Sequence, residues 1–331
     1  MNLGFIGLGG YSHNHQRAVE KNDGLKLVSA YDPVAKRLDA AAGKFGAKKA
    51  GSAEEVAADP EVEGVVITTP NAMHFEHFKV CAGEGKHVFV NVPVVTDPQE
   101  AREMLRLAEA RGIVLMAGHN LRRNPAIVRM KEMLRGGKLG AVHSAEATVT
   151  GASGYDLTPE NWRYFKQTAP LLPFTQMGVV FIDLVLDFMG TPEAISAFMA
   201  KRDGAGDAPD LGVVTTQYAD GRMSYIGCSY VSYSGYEIAF IGNKGKAKWD
   251  NQDDNSVTLH RSDGLEREAF ERIDEQYEEL VEFSTCAQVG GTPSVGGVDA
   301  YNVAEYFACV RRSVETGQAV RFREYGGGGS V

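Results

Sequence analysis

Leu3-Gly4-Phe5-Ile6-Gly7-Leu8-Gly9-Gly10-Tyr11-Ser12 begins as a short apolar run, breaks into glycines and leads into a segment readable as a helix over residues 13–20. Strand, glycine turn and helix in that order are what a dinucleotide-binding βαβ unit requires. Gly7 permits the tight turn, and Gly9 lets the backbone approach a pyrophosphate, with Gly10 and Tyr11 at the same bend. Ser12 is the third small residue, needed where helix and strand pack closely. The helix start offers free N–H groups and a positive dipole end to an anion. Taken alone the motif is weak, because glycine turns between strands and helices are common.

Residues 25–31 read as a second strand, and it ends in Asp32. An acid at that tip accepts hydrogen bonds from the adenosine ribose hydroxyls and favours NAD. Asp32 before Pro33 is also a good helix start, which is its plainer reading. Lys36 and Arg37 lie one turn further on, where they either meet a 2′-phosphate, leaving NADP open, or are solvated helix charges.

From there to residue 120 strands and helices alternate. Residues 62–69, 86–90 and 113–117 read as strands, and 75–84 and 99–111 as helices, the latter opened by Asp97-Pro98 and closed by Gly112. The alternation implies a doubly wound parallel sheet, a Rossmann-type NAD(P)-binding domain over 1–120. Beyond a helix at 125–135 the texture changes. Residues 142–150, 212–218, 222–229, 237–242, 246–250 and 256–261 read as strands, with helices at 179–189, 275–288 and 298–315. An α+β domain with an open, mainly antiparallel sheet is expected over 121–325, and 326–331 read as a flexible tail or linker remnant.

Bulk properties narrow the function. A length of 331 residues accommodates two domains, and 44% hydrophobic with 23% charged residues is the balance of an ordinary globular chain. A net charge of −9 argues against nucleic acid or an anionic membrane as partner. No run approaches the roughly 20 apolar residues of a membrane span. The first residues lack the basic region of a secretion signal. Cys81, Cys228, Cys286 and Cys309 are scattered without a CxxC pair, so reduced thiols and a cytoplasmic location are expected, with no metal site.

In order and spacing, several further motifs accompany the glycine turn: Thr69-Pro70-Asn71-x-x-His74; Gly85-Lys86-His87-Val88-Phe89-Val90 running into Pro93; Gly118-His119-Asn120-x-Arg122-Arg123-x-Pro125; Leu157-Thr158-Pro159-Glu160-Asn161-Trp162-Arg163; and Pro173-x-x-Gln176-Met177-Gly178-x-x-x-Ile182-Asp183. With these the chain resembles the Gfo/Idh/MocA family of NAD(P)-dependent oxidoreductases over almost its whole length. The resemblance implies a Rossmann domain followed by an open-faced sheet domain that often serves in oligomer contacts, here a homodimer or homotetramer. It places the dinucleotide against Gly7, Gly9, Gly10, Tyr11, Ser12, Asp32, Thr69, Pro70, Asn71, His74, Asn91 and Pro93. It places a small-molecule substrate, sugar-like or cyclic, against Val92, Arg122, Arg123, Trp162, Arg163, Gln176, Val180 and Asp183, with Arg163 and Asp183 read equally well as fixing loop and helix positions, and His74 as a structural support of the loop after the third strand.

Two departures stand out. The family's Glu-Lys-Pro signature is Asn91-Val92-Pro93 here, and its histidine two residues after a glycine is Val180. Valine cannot exchange a proton, and losing such a group typically costs about 10²–10⁴-fold. Three explanations compete. In the first, Lys166, His119 or Tyr164 has taken the role, against the plainer readings of a solvated lysine, a strand-end polar residue and a packing residue. In the second, the substrate is an imine or conjugated bond needing little proton help. In the third, the chain is a non-catalytic dinucleotide-binding regulator, or a lyase or decarboxylase using the old cleft.

Overall fold

The computed structural model describes residues 1–252 and 254–324; the tail expected at 326–331 lies outside them. The chain divides into two compact units. Among the described residues, one comprises Met1–Asn120 and Asp274–Ala304, the other Leu121–Ile273 and Glu305–Glu324.

The first unit runs β1 (Asn2–Ile6), α1 (Ser12–Glu20), β2 (Lys26–Tyr31), α2 (Ala35–Phe45), β3 (Lys48–Lys49), α3 (Ala53–Ala58), β4 (Gly64–Ile67), α4 (His74–Gly83), β5 (His87–Asn91), α5 (Pro98–Arg111) and β6 (Leu115–Gly118). Among the described residues its strands form one six-stranded parallel sheet in the order β3-β2-β1-β4-β5-β6. The order reverses between β1 and β4, and ligands of such sheets bind at the carboxyl ends of strands flanking that switch point. Central strands are apolar throughout because both faces are covered: β4 is Gly-Val-Val-Ile, buried at every position. The signals at α5 act as read, since Asp97 accepts from the Gln99 N–H and Pro98 occupies the first turn.

A contiguous division at 121–325 is not what the chain does. Helix α8 (Glu275–Val289) belongs to the first unit and packs along α1. Its Leu280, Phe283 and Cys286 enter the same apolar core as Leu3, Phe5, Val66, Phe89 and Met116. The Phe283 ring lies edge-on to Phe89, 6.0 Å between centroids. Each fully buried Leu or Phe contributes about 1.5–3 kcal/mol, enough to bring a distant segment back to this core. The division falls inside α9 (Gly297–Thr316).

In the second unit α6 (Pro125–Arg135) and α7 (Val179–Met189) accompany β7 (Val142–Thr150), β8 (Ala194–Ala200), β9 (Leu211–Gln217), β10 (Met223–Ser229), β11 (Gly235–Gly242), β12 (Lys246–Asp250), β13 (Ser256–Arg261), β14 (Gly264–Ala269) and β15 (Val320–Arg321). Among the described residues these form one nine-stranded sheet, β14-β13-β12-β11-β7-β10-β9-β8-β15, antiparallel except at β7–β10. Burial alternates along β9, where Gly212, Val214 and Thr216 face inward. The inner face packs against α7 through Phe181–Trp249 and Phe188–Phe240 ring contacts. The other face leaves Phe198, Val213, Met223 and Tyr225 exposed.

No helix among the described residues is long and apolar enough to cross a membrane. All four cysteines are buried free thiols.

Candidate active site

The glycine turn is fixed by its own backbone. Gly7 has φ +91°, donates to the Tyr31 carbonyl at 2.8 Å, and its carbonyl accepts from the Thr68 hydroxyl at 2.7 Å. A Cβ there would stand 2.8 Å from the Thr69 nitrogen, so no other residue fits without displacing backbone. A Cβ at Gly9 or Gly10 would meet nothing within 4 Å. The turn is therefore closed behind and open in front, the shape an approaching pyrophosphate needs. Ser12, fully buried, donates to the Gly9 carbonyl at 2.7 Å and so stiffens the turn against the start of α1.

Asp32 combines both of its readings. Its Oδ2 accepts from the Leu8 N–H at 2.7 Å, tying β2 to the glycine turn, and its Oδ1 accepts from the Val34 N–H at 2.8 Å. A carboxylate has about four lone-pair sites, so capacity remains for ribose hydroxyls. The Arg37 guanidinium, half-exposed, stands 3.7 Å from Oδ1.

At the end of β4, Thr69 Oγ1 lies 3.0 Å from His77 Nδ1, and Pro70 leads into the 3-10 turn Asn71–Met73. Asn71 Oδ1 and, at the end of β5, Asn91 Oδ1 are buried without a hydrogen-bond partner among the described residues. Such orphaned acceptors typically cost about 1–3 kcal/mol each, and a bound ligand carrying donors would relieve them. Val92 is half-buried and Pro93 buried, joined by a cis peptide bond.

His74 takes the structural one of its two readings. Its Nε2 lies 2.8 Å from the Thr69 carbonyl oxygen and its Nδ1 3.0 Å from those of Pro93 and Val94. The ring clamps the end of β4 to the turn after β5, leaving neither nitrogen for a ligand. Burial pushes its pKa down, resisted by those carbonyls. His119 is buried at the end of β6.

His13 and His15, two apart on α1, diverge: the first is exposed and the second fully buried. His15 lies 5.6 Å from the Tyr11 ring and edge-on to Phe89 at 5.0 Å, with neither ring nitrogen hydrogen-bonded among the described residues. Burial lowers its pKa to about 4, with Asp274 pulling upward.

In the second unit the expected substrate residues separate into two groups. Arg122 donates to Asp183 through Nε at 2.7 Å and Nη2 at 2.6 Å. Asp183 is 1% exposed, and the pair continues to Asp187 and Lys131. Their charges are thus engaged with each other, fastening the turn Asn120–Arg123, which also carries Arg123, to α7. The expected substrate contact of Arg122 becomes a structural one, and Asp183 takes the structural one of its two readings.

The other group converges. Arg163, on the 3-10 turn Trp162–Tyr164, stacks its guanidinium over Trp162 at 4.6 Å and donates from Nε to Gln176 Oε1 at 2.8 Å. Gln176 sits in the π-turn Phe174–Gly178 that runs into α7. Within Leu171–Ile182, Gln176 and Val180 are half-buried and the others buried. Arg163 forms no ion pair with a carboxylate among the described residues, and burial pushes its pKa down, Tyr230 opposing.

Of the three expected proton carriers, two look away from chemistry. Lys166 is exposed, its backbone N–H bound to Asp207 Oδ1 at 2.6 Å. Tyr164 packs its ring on Phe165 at 5.0 Å, and its carbonyl accepts from Asp207 and Ala208.

The comparisons with known proteins bear on this arrangement. Residues 1–119 match the model of the "oxidoreductase family, NAD-binding Rossmann fold", and residues 127–248 that of the "GFO/IDH/MocA C-terminal domain". An uncharacterized oxidoreductase of Streptococcus pneumoniae serotype 4 is 33% identical over 254 residues, 75% of this chain and 68% of that one. The chain belongs to the Gfo/Idh/MocA oxidoreductases. The myo-inositol 2-dehydrogenase of Thermotoga maritima is 25% identical over 338 residues, covering 98% of this chain and 99% of that one. The structure of a levoglucosan dehydrogenase in complex with NADH superposes with a TM-score of 0.89 at 20% identity, over 98% of this chain and 99% of that one. As a Gfo/Idh/MocA protein the chain is an NAD-dependent oxidoreductase, and the open-fronted turn after β1 with the free acceptors of Asn71 and Asn91 fits that nucleotide.

Proposed function

We propose that this oxidoreductase exchanges hydride between NAD(H) and a small polyol or sugar-like metabolite, with a proton-transfer group other than the family's usual lysine and histidine. A bound nicotinamide supplies or removes the hydride. The observation that carries the substrate class is Arg163, a half-buried guanidinium without a carboxylate, whose remaining N–H groups suit the oxygens of a polar ligand. Gln176 fixes its orientation, and Val92 and Val180 contribute apolar surface where the family carries its proton carriers. That the dehydrogenase relatives include enzymes named for myo-inositol and levoglucosan supports the same class.

Asp32 favours NAD, while Arg37 offers a partner for a 2′-phosphate, so NADP serves as a second nucleotide in this reading. The exposed Phe198, Val213, Met223 and Tyr225 on one face of the nine-stranded sheet support a homodimer or homotetramer, readable by sedimentation. The reduced state of the buried thiols is in keeping with a cytoplasmic enzyme.

Calorimetry with NAD, NADH, NADP and NADPH, followed by nicotinamide absorbance with myo-inositol, levoglucosan and a panel of ketoses, tests the reading. Binding with turnover supports it. Tight binding with no turnover points to a regulator, and product formed without any nicotinamide change points to a lyase. Absence of binding to every nucleotide form refutes it.

A further inference from the structure

Along α9, Glu305, Cys309, Arg312 and Thr316 recur at the spacing that places side chains on one helical face. This face bounds a cavity of about 590 Å³, whose other wall is β15 with the residues beside it. Arg321 and Arg323, two apart on extended chain, both line the cavity. Phe322 between them turns inward and is buried, and its N–H donates to the Glu193 carbonyl at 3.0 Å. The two walls are tied together at the back, where the Cys309 thiol lies 3.7 Å from the Arg321 carbonyl oxygen. Every one of these residues belongs to the second unit.

Three guanidiniums and one carboxylate, that of Glu305, thus line a single concavity in a chain whose net charge is −9. Arg321 stands 3.6 Å from Glu193, an exposed pair of the kind that contributes little. Arg312 and Arg323 make no ion pair among the described residues. Basic side chains near a helix C-terminus ordinarily complement its last carbonyls. Here the Ser313 carbonyl already accepts from the Gly317 N–H at 2.8 Å and the Arg312 carbonyl from the Thr316 hydroxyl at 2.7 Å. Neither Arg312 nor Arg323 donates to them among the described residues. The cations therefore face the cavity with their mutual repulsion unrelieved by an acid of their own. Below them Ala308, Cys309 and Val320 give the lining an apolar part.

We propose that this cavity binds a phosphate monoester carried on a small apolar body. The lining leaves about two net positive charges, which match the charge of such a phosphate near neutral pH. Guanidinium forks suit its oxygens, which Arg312, Arg321 and Arg323 would share, while the body lies over Ala308, Cys309 and Val320. The volume falls within the roughly 300–1,000 Å³ of small-molecule sites. None of the residues assigned to the nucleotide takes part, so the site stands apart from the hydride chemistry proposed above.

The test is calorimetry on the full-length protein, with and without saturating NADH, using phenyl phosphate, inorganic phosphate and phenol as probes. One phenyl phosphate should bind per chain, equally well in both conditions, and shift the methyl resonances of Ala308 and Ala319 in alanine-labelled protein. Arg312→Ala and Arg323→Ala, at exposed positions that leave the fold intact, should each weaken it about tenfold or more. Phenol, lacking the charge, and inorganic phosphate, lacking the apolar body, should both bind more weakly than the ester. Absence of binding, displacement by NADH, or unchanged affinity in both variants overturns the proposal. So does inorganic phosphate that binds as tightly as its phenyl ester, since the apolar wall would then contribute nothing.

Discussion

His15 makes the first unit acid-sensitive in a way that can be calculated. Its pKa falls from 6.5 to about 4 because burial removes water from a ring whose nitrogens meet no hydrogen-bond partner among the described residues. The folded pKa lies below the unfolded one, so the unfolded chain binds more protons between those values. Stability is then fully present above the unfolded pKa and is lost as pH falls towards the folded one. Weighing both protonation equilibria gives a loss of about 2 kcal/mol between about pH 7 and about pH 5, rising to about 3 kcal/mol near pH 4. His15→Phe keeps an aromatic ring beside Phe89 and Tyr11 but removes the titration. Urea unfolding followed by circular dichroism at the two higher pH values should show the wild type losing about 2 kcal/mol more than the variant. Comparing the slopes with pH, rather than absolute stabilities, cancels any packing cost of the substitution. Equal pH dependence in the two proteins would refute the reasoning.

Three further outcomes follow from the geometry. Gly7→Ala forces a side chain into a left-handed position and against the Thr69 nitrogen; it should destabilise by about 1–2 kcal/mol or more and abolish NAD binding in calorimetry. Arg122→Ala takes the bidentate guanidinium from the buried Asp183, so thermal or urea unfolding should reveal a loss of about 3–5 kcal/mol. Arg37→Ala should weaken NADP about tenfold or more while leaving NAD nearly unchanged, as measured by paired titrations.

Much of the fold was legible because periodicity and punctuation agreed. The glycine turn, the β4 run and the Asp97-Pro98 start each place an element by local chemistry, and α7 and β7 fall at the residues read for them. Helix α8 was legible as a helix but not as part of the first unit, because which core receives Leu280 and Phe283 is a tertiary fact. β14 has the sequence Gly-Leu-Glu-Arg-Glu-Ala on an edge, with no apolar alternation to betray it. At the site, glycine and Asp32 signals survive because backbone geometry demands those residue types. For Asp183 and His74 the structural and ligand-contact readings stood level, and Arg122 looked like a ligand group, because a polar group that pairs internally looks, in one dimension, like one awaiting a ligand.

The return of α8 to the first unit has a consequence for biosynthesis. When residues 1–120 have left the ribosome, the nucleotide-binding sheet still lacks Leu280 and Phe283, and Gly64 on β4 lacks the ring that covers it. Translation must add strands β7 to β14 before that cover arrives, a wait on the order of ten seconds or more at ordinary elongation rates. During it a nascent parallel sheet shows bare hydrocarbon to water, which is the kind of intermediate that chaperones hold.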